Sequence, residues 1–319
     1  MRVLTGIQPS GDLHIGNYFG SIKQMVDAQE NSETFAFIAN YHAMTSGGNN
    51  LAKLTMQCAT DFLALGIDPN KSTFWVQSDV KEVLELYWIL SSFTPMGLLE
   101  RAHSFKDKTA KGIAANHSLF SYPVLMAADI LIYGSEVVPV GKDQIQHVEI
   151  ARDIATKFNN KYGDILVMPE FRVQEEVQTV PGTDGQKMSK SYGNIVNIFG
   201  EEKQQLKTIK KIVTENVAME EPKEFENCNV YNMSKLFLEG ENLKALEERY
   251  KKGGEGHGHF KIYLAEVMWE YFKDFREKRA YYEKNQDEVR AILQNGANKA
   301  KEIASPMIEK IRSVTGIKY

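Results

Sequence analysis

Two short segments, at opposite ends of the first two hundred residues, carry residue types whose spacing suits phosphate chemistry. The first is Leu4-Thr5-Gly6-Ile7-Gln8-Pro9-Ser10-Gly11-Asp12-Leu13-His14-Ile15-Gly16-Asn17, which runs from a strand-like start through a Gly/Pro turn into a helix. A helix N-terminus placed there presents unpaired N–H groups and the positive end of its dipole beside a sheet edge, and it attracts anions. Gly6, Gly11 and Gly16 omit side chains where a planar or phosphate ligand would approach the backbone, and His14 adds a donor. The second is Pro181-Gly182-Thr183-Asp184-Gly185-Gln186-Lys187-Met188-Ser189-Lys190-Ser191-Tyr192-Gly193-Asn194. Its Lys187 and Lys190, three apart in a Gly-flanked loop, can swing onto a polyphosphate as mobile point charges. Taken alone, the first segment is equally a strand-to-helix turn with an incidental histidine, and a lone basic loop is usually a solvated surface. The chain has neither a G-x-G-x-x-G dinucleotide fingerprint nor a G-x-x-x-x-G-K-[ST] loop.

A third feature is Asp129, a carboxylate inside the otherwise apolar run Met126-Ala127-Ala128-Asp129-Ile130-Leu131-Ile132-Tyr133. Buried without a partner it costs several kcal/mol, so something must compensate it. In an isolated helix that partner is neighbouring backbone or a lysine. The glycine-rich stretch Lys251 to His259 is expected to be an interhelical turn, because its glycine spacing fails the phosphate-loop pattern and two histidines alone are weak ligands. Cys58 and Cys228 have no C-x-x-C partner, which leaves neither a disulfide framework nor a zinc ribbon and fits a reducing, cytoplasmic setting.

The elements that must hold these residues follow from hydrophobic period. Arg2 to Ile7, Thr34 to Ala39, Thr73 to Val76 and Val137 to Val140 have the β-branched and aromatic content of strands. Leu51, Leu54, Cys58, Phe62 and Leu65 fall at helical spacing before Gly66 and Pro69, as in the crossover helix of a βαβ unit. After about residue 200 strands give way to helices, with Tyr263, Leu264, Val267, Met268, Tyr271, Phe272 and Phe275 on one stripe. The 319 residues then divide into an α/β parallel-sheet domain, 1–192, and a smaller helical domain, 193–319. With 43% apolar and 25% charged residues the chain is no disordered polymer, and no apolar run is long enough to cross a membrane.

Together the motifs carry a resemblance. His14-Ile15-Gly16-Asn17 resembles the HIGH signature and Lys187-Met188-Ser189-Lys190-Ser191 is a full KMSKS signature, the pair found in class I aminoacyl-tRNA synthetases. Thr5 to Gly11, Met126 to Ile130 and Val140-Gly141-Lys142-Asp143-Gln144 are similar to the tryptophanyl branch of that class. The one departure is Asn17 in place of the last histidine, and asparagine still donates a hydrogen bond.

The resemblance implies a Rossmann-like catalytic domain with a connective insertion near 80–119, a homodimer contacting through that insertion, and a tail on the anticodon side of tRNA. It implies ATP as a substrate accompanied by Mg²⁺, L-tryptophan and tRNA(Trp) as partners, and no DNA or membrane; the sequence itself shows no protein-built metal cage. Activation of an amino acid needs no tuned base, because the attacking carboxylate is already ionised at pH 7. Catalysis must come from positioning and charge stabilisation, which the resemblance assigns to Lys187, Ser189, Lys190, His14, Asn17 and Lys106 or Lys108. The two last are otherwise solvated surface lysines. Gln8, Pro9, Ser10, Gly16, Gly141, Lys142, Asp143, Val180, Met188 and Ser191 would complete the nucleotide site, with Gly182, Gly185 and Gly193 as hinges. An indole N–H needs one buried acceptor in an apolar slot, and Asp129 is assigned to it. Leu4, Gly6, Ala39, His42, Met126, Val138 and Val140 would wall the slot, and Tyr122 and Gln144 would hold the α-amino group.

A tyrosyl enzyme, a nucleotidyltransferase acting on a small acid, and an RNA-binding relative without activity are the alternatives. Net charge refines the picture. The chain carries 38 basic and 42 acidic residues, a net of −4, which excludes a non-specific nucleic-acid coat. Residues 1–200 hold 16 basic and 21 acidic side chains, whereas 201–319 hold 22 and 21, so the tail is the more positive part. Weak, salt-dependent docking of one tRNA fits that distribution.

Overall fold

A computed structural model describes residues 1–45, 49–102, 116–173 and 180–319. The expected Lys106 and Lys108 lie outside the described residues. Five parallel strands, β1 (Arg2–Ile7), β2 (Glu33–Ile38), β3 (Ser72–Val76), β4 (Val137–Val140) and β5 (Glu170–Val173), form one sheet in the order β3-β2-β1-β4-β5. This is the Rossmann-like arrangement, and its order reverses between β1 and β4. Four of the strands coincide with the expected ones within a residue. β5 was not foreseen, because Glu-Phe-Arg-Val is a short edge strand whose side chains stay largely exposed and leave no apolar run to read.

The period of two in the strands divides the sheet's faces between two cores. Ala36, Ile38, Phe74 and Val76 face one, while Phe35, Phe37 and Trp75 face the other. The first core is closed by α1 (Ile15–Asn17), a π-helical turn (Tyr18–Ile22), α2 (Lys23–Ala28) and the crossover helix α4 (Leu51–Ala64), which follows the short α3 (Asn40–Met44). The second is closed by α5 (Glu82–Ser91), α6 (Met96–Glu100), α7 (His117–Ile132) and α8 (Ile145–Tyr162).

Beyond β5 every described regular element is helical: α9 (Glu202–Lys210), α10 (Asn229–Ser234), α11 (Gly240–Lys252), α12 (His257–Tyr271), α13 (Lys273–Lys284) and α14 (Gln286–Thr315). The glycine-rich stretch is the turn between α11 and α12, with Gly253 and Gly254 at positive φ. These helices complete both cores. Phe260, Leu264, Met268 and Phe272 join the first, and Ala297, Ala300, Ala304, Ile308 and Ile311 of α14 join the second. At Gly296 a β-carbon would stand 1.8 Å from the Phe74 carbonyl oxygen, so only glycine lets α14 lie directly on edge strand β3. The edge is thereby covered.

Candidate active site

Ligands of open parallel sheets bind beyond the carboxyl ends of the strands, where the strand order reverses. A cleft lies there. Its volume is about 660 Å³, and it is lined by the ends of β1 (Leu4 to Gln8) and β4 (Val138 to Gly141), together with Ser10, Asn17, His42, Tyr122, Met126, Asp129, Ile130 and Gln144. All ten residues expected around an amino acid therefore share one cavity: Leu4, Gly6, Ala39, His42, Tyr122, Met126, Asp129, Val138, Val140 and Gln144. Gly6 has a steric reason. A β-carbon there would come within 2.9 Å of the Phe37 ring, another wall of the cleft.

Asp129 is the one carboxylate among the lining residues and is only 2% exposed. Both of its oxygens accept from Gln77 Nε2 at 2.9 Å, and Oδ2 lies 2.8 Å from His42 Nε2. Two expectations change here. Asp129 already has protein partners without a ligand, and His42 is one of them rather than a passive wall. A carboxylate has about four acceptor sites, so three such contacts leave room for one more donor. Gln77 escaped the sequence reading, although its place right after β3 puts it on the same carboxyl edge as the other site residues. His147 was also missed. It is buried on α8 one turn past Gln144, and its Nε2 is hydrogen-bonded to the Tyr122 hydroxyl.

At the helix start, Asn17 Oδ1 accepts from the His14 backbone N–H at 3.1 Å, which leaves the amide nitrogen of Asn17 as the donor on the cleft wall. His14 itself is 6% exposed and is not among the lining residues. Burial, reinforced by the charge of Lys190, holds its imidazole down at about 4, so it is neutral at pH 7. Gly16 packs against it, since a β-carbon would lie 2.9 Å from His14 Nδ1 and 3.3 Å from Met188 Cβ.

The lysine loop meets this helix start from the far side of the chain. Lys190 Nζ donates to the Ser10 carbonyl at 2.9 Å, directly on the cleft wall. Burial holds that ammonium below its ordinary range, against the opposing pull of Asp12 and Asp61. Lys187, Lys190 and Ser191 are exposed, Ser189 is half-buried, and the Met188 side chain is sunk in the first core beside Val180. The Met188 N–H donates to the Val180 carbonyl at 3.0 Å. Pro9 is buried behind the first turn, and Lys142 is exposed in the 3-10 turn Lys142–Gln144 after β4. The side chain of Asp143 lies outside the described residues. Among the described residues no three His, Cys, Asp or Glu side chains converge to hold a metal ion, and no helix is long and apolar enough to cross a membrane.

The pattern of the tRNA synthetases class I (W and Y) matches residues 1–273. The chain belongs to that family. It is 62% identical to the tryptophan–tRNA ligase of Campylobacter jejuni (strain RM1221) over 319 residues, covering 99% of this chain and 100% of the relative. It is 50% identical to the tryptophan–tRNA ligase of Fusobacterium nucleatum, with 99% and 98% covered. The synthetase fold here also matches a crystal structure of the Campylobacter jejuni tryptophanyl-tRNA synthetase complexed with ADP and tryptophan, with a TM-score of 0.96, 62% identity, and 99% and 100% of the two chains covered.

Proposed function

We propose that this chain is a tryptophan–tRNA ligase, which activates L-tryptophan with ATP and then passes it to the terminal ribose of tRNA(Trp). The observation that carries the reading is one cleft whose single lining carboxylate, Asp129, sits among apolar walls, with the KMSKS loop tied to the wall at Ser10. High identity to tryptophan–tRNA ligases along the whole chain supports it.

In the first step the tryptophan carboxylate attacks the α-phosphorus of ATP. An O–P bond forms, the bond to the β-phosphate bridge breaks, and pyrophosphate leaves with the electron pair. No side chain has to remove a proton. Asp129 accepts the indole N–H and selects the side chain. Tyr122 and Gln144 hold the α-amino group. Gln8, Ser10, Gly16 and Gly141 admit the nucleotide along the backbone, and Asn17 donates from the helix start. Lys187 and Lys190 place positive charge where negative charge grows on the phosphates. Mg²⁺ enters with the substrate as Mg·ATP. Neutral His14 supplies a dipole without competing for the lysines' anion.

The helical tail would meet the anticodon side of tRNA, consistent with its more positive balance. Residues 1–192 would form the catalytic unit and 193–319 the tRNA-facing one. The exposed Leu84, Trp88 (74%) and Met96 on α5 and α6 are the apolar face a second copy would cover in a cytoplasmic homodimer. A sedimentation mass of one 36.2 kDa chain at micromolar concentration would remove that part of the proposal.

ATP–pyrophosphate exchange measured with tryptophan, with tyrosine and with no amino acid tests the whole reading. Exchange is expected with tryptophan alone. Absence of tryptophan-dependent exchange in folded protein that binds Mg·ATP overturns the reading, and equal exchange with tyrosine overturns the assignment of specificity.

A further inference from the structure

Asn194 follows the lysine signature but belongs to neither motif, and it is only 2% exposed. Its Oδ1 accepts from the Ser189 backbone N–H at 2.8 Å, while Nδ2 donates to the Lys187 carbonyl at 3.1 Å and to Asp184 Oδ1 at 2.7 Å. Its own carbonyl accepts from Thr183 N–H at 3.0 Å. One residue thus fastens four positions of the loop. Resting on the adenylation reading above, we propose that Asn194 is the positioning residue of the lysine loop, indexing Lys187 and Lys190 to the His14 helix start.

The chemistry of the amide explains the choice of residue. Both of its donors and its acceptor are used, so aspartate would lack the donors and leucine would lack everything. Gly182 is shaped around it, because a β-carbon at that position would stand 2.3 Å from Asn194 Nδ2. The chain leaving Asn194 then locks onto the other signature. Ile15 N–H donates to the Val196 carbonyl and Ile198 N–H to the Leu13 carbonyl, both at 3.0 Å, with His14 and Asn197 bridged antiparallel between them. Five residues, 194–198, therefore connect the backbone that carries Lys187 and Ser189 to the backbone that carries His14. Asn194 acts through these neighbours rather than on the phosphates. A buried amide that loses its partners costs more than each bond contributes, which holds the loop to this one arrangement.

The test compares wild type, Asn194→Ala, Asn194→Asp and the pair Asn194→Asp/Asp184→Asn, with kcat expressed per active site from the burst of ATP consumption. For Asn194→Ala, kcat of exchange is expected to fall about 10- to 100-fold, as for a misplaced catalytic group, with the Kd for tryptophan unchanged. Asn194→Asp sets two carboxylates against each other and is expected to lose at least as much. Adding Asp184→Asn restores one donor–acceptor pair and is expected to return part of kcat. A merely structural role predicts something else: kcat per active site within about twofold of wild type, or loss of tryptophan binding in step with kcat, and either result overturns the proposal. Trypsin gives a readout independent of catalysis. Cleavage of native protein after Lys187 and Lys190 is expected to accelerate in Asn194→Ala, and an unchanged rate overturns the proposal. If wild type shows no tryptophan-dependent exchange, the functional reading fails, while faster cleavage still supports Asn194 as the loop's holder.

Discussion

The walls of the cleft are pieces of the protein's two cores, whereas the lysine loop stands outside them on hydrogen bonds. Leu4, Phe37, Ile130, Val138 and Val140 line the cleft and also belong to the second core, and Ile7, Leu13 and Phe62 do the same for the first. Moving any of them disturbs close packing. The loop is different. Asp184 to Lys187 and Lys190 to Gly193 are exposed, Gly185 and Gly193 sit at positive φ, and only the Met188 side chain and Asn194 reach inward. On the proposed function, selection of the amino acid would be preorganised by packing, while the lysines' charge would ride on an exposed segment held by hydrogen bonds.

That contrast can be broken or sharpened by substitution. The largest effect is expected from Lys187→Ala, where kcat of pyrophosphate exchange should drop about 10²- to 10³-fold, the loss usual for removing one donor to a developing anion. Asp129→Ala should act on the other half. Tryptophan binding is expected to weaken about 10- to 100-fold, the worth of a hydrogen bond to a charged group, with ATP binding nearly unchanged. The loss is smaller than for an acceptor left wholly unpartnered, because Gln77 and His42 already satisfy part of Asp129. Equilibrium titration with each ligand checks both halves of that statement.

The smallest effect concerns His14. Its folded value of about 4 lies below the ordinary 6.5, chiefly through burial. Above pH 6.5 neither state binds the proton. As pH falls from 6.5 toward 4 the unfolded chain takes it up and the folded chain does not, so stability is lost across that window. His14→Gln should lose about 2–4 °C less in Tm between pH 7 and pH 5 than wild type does, read by thermal melts at both values. An identical loss in the two proteins would mean that His14 is not buried neutral.

Much of this arrangement was legible in the sequence, for physical reasons that also mark where reading stops. Strands β1 to β4 are sandwiched between helices, so their apolar runs are dense, and β5 is not, so it was passed over. The cleft residues are named only by the family resemblance, because apolar periodicity makes Leu4, Val138 and Val140 equally good core residues; the structure gathers them in one cleft at the carboxyl ends of the strands. Gln77 and Asn194 left no such trace. A buried amide is recognised by what it bonds to, and its partners lie 52 residues away for Gln77 and Asp129 and inside a folded loop for Asn194. The close approach of α14 to β3 at Gly296 is equally invisible along the chain, because a glycine inside a helix gives no hint of the strand it meets.

The central claim is that selection and chemistry are housed separately, in a fixed cleft and a tethered loop. Measuring tryptophan Kd and exchange kcat for both Lys187→Ala and Asp129→Ala tests it most directly. The account predicts a crossed result: Lys187→Ala loses kcat with Kd intact, and Asp129→Ala loses Kd at tryptophan while kcat at saturation falls far less. Parallel losses of both quantities in both proteins would contradict it.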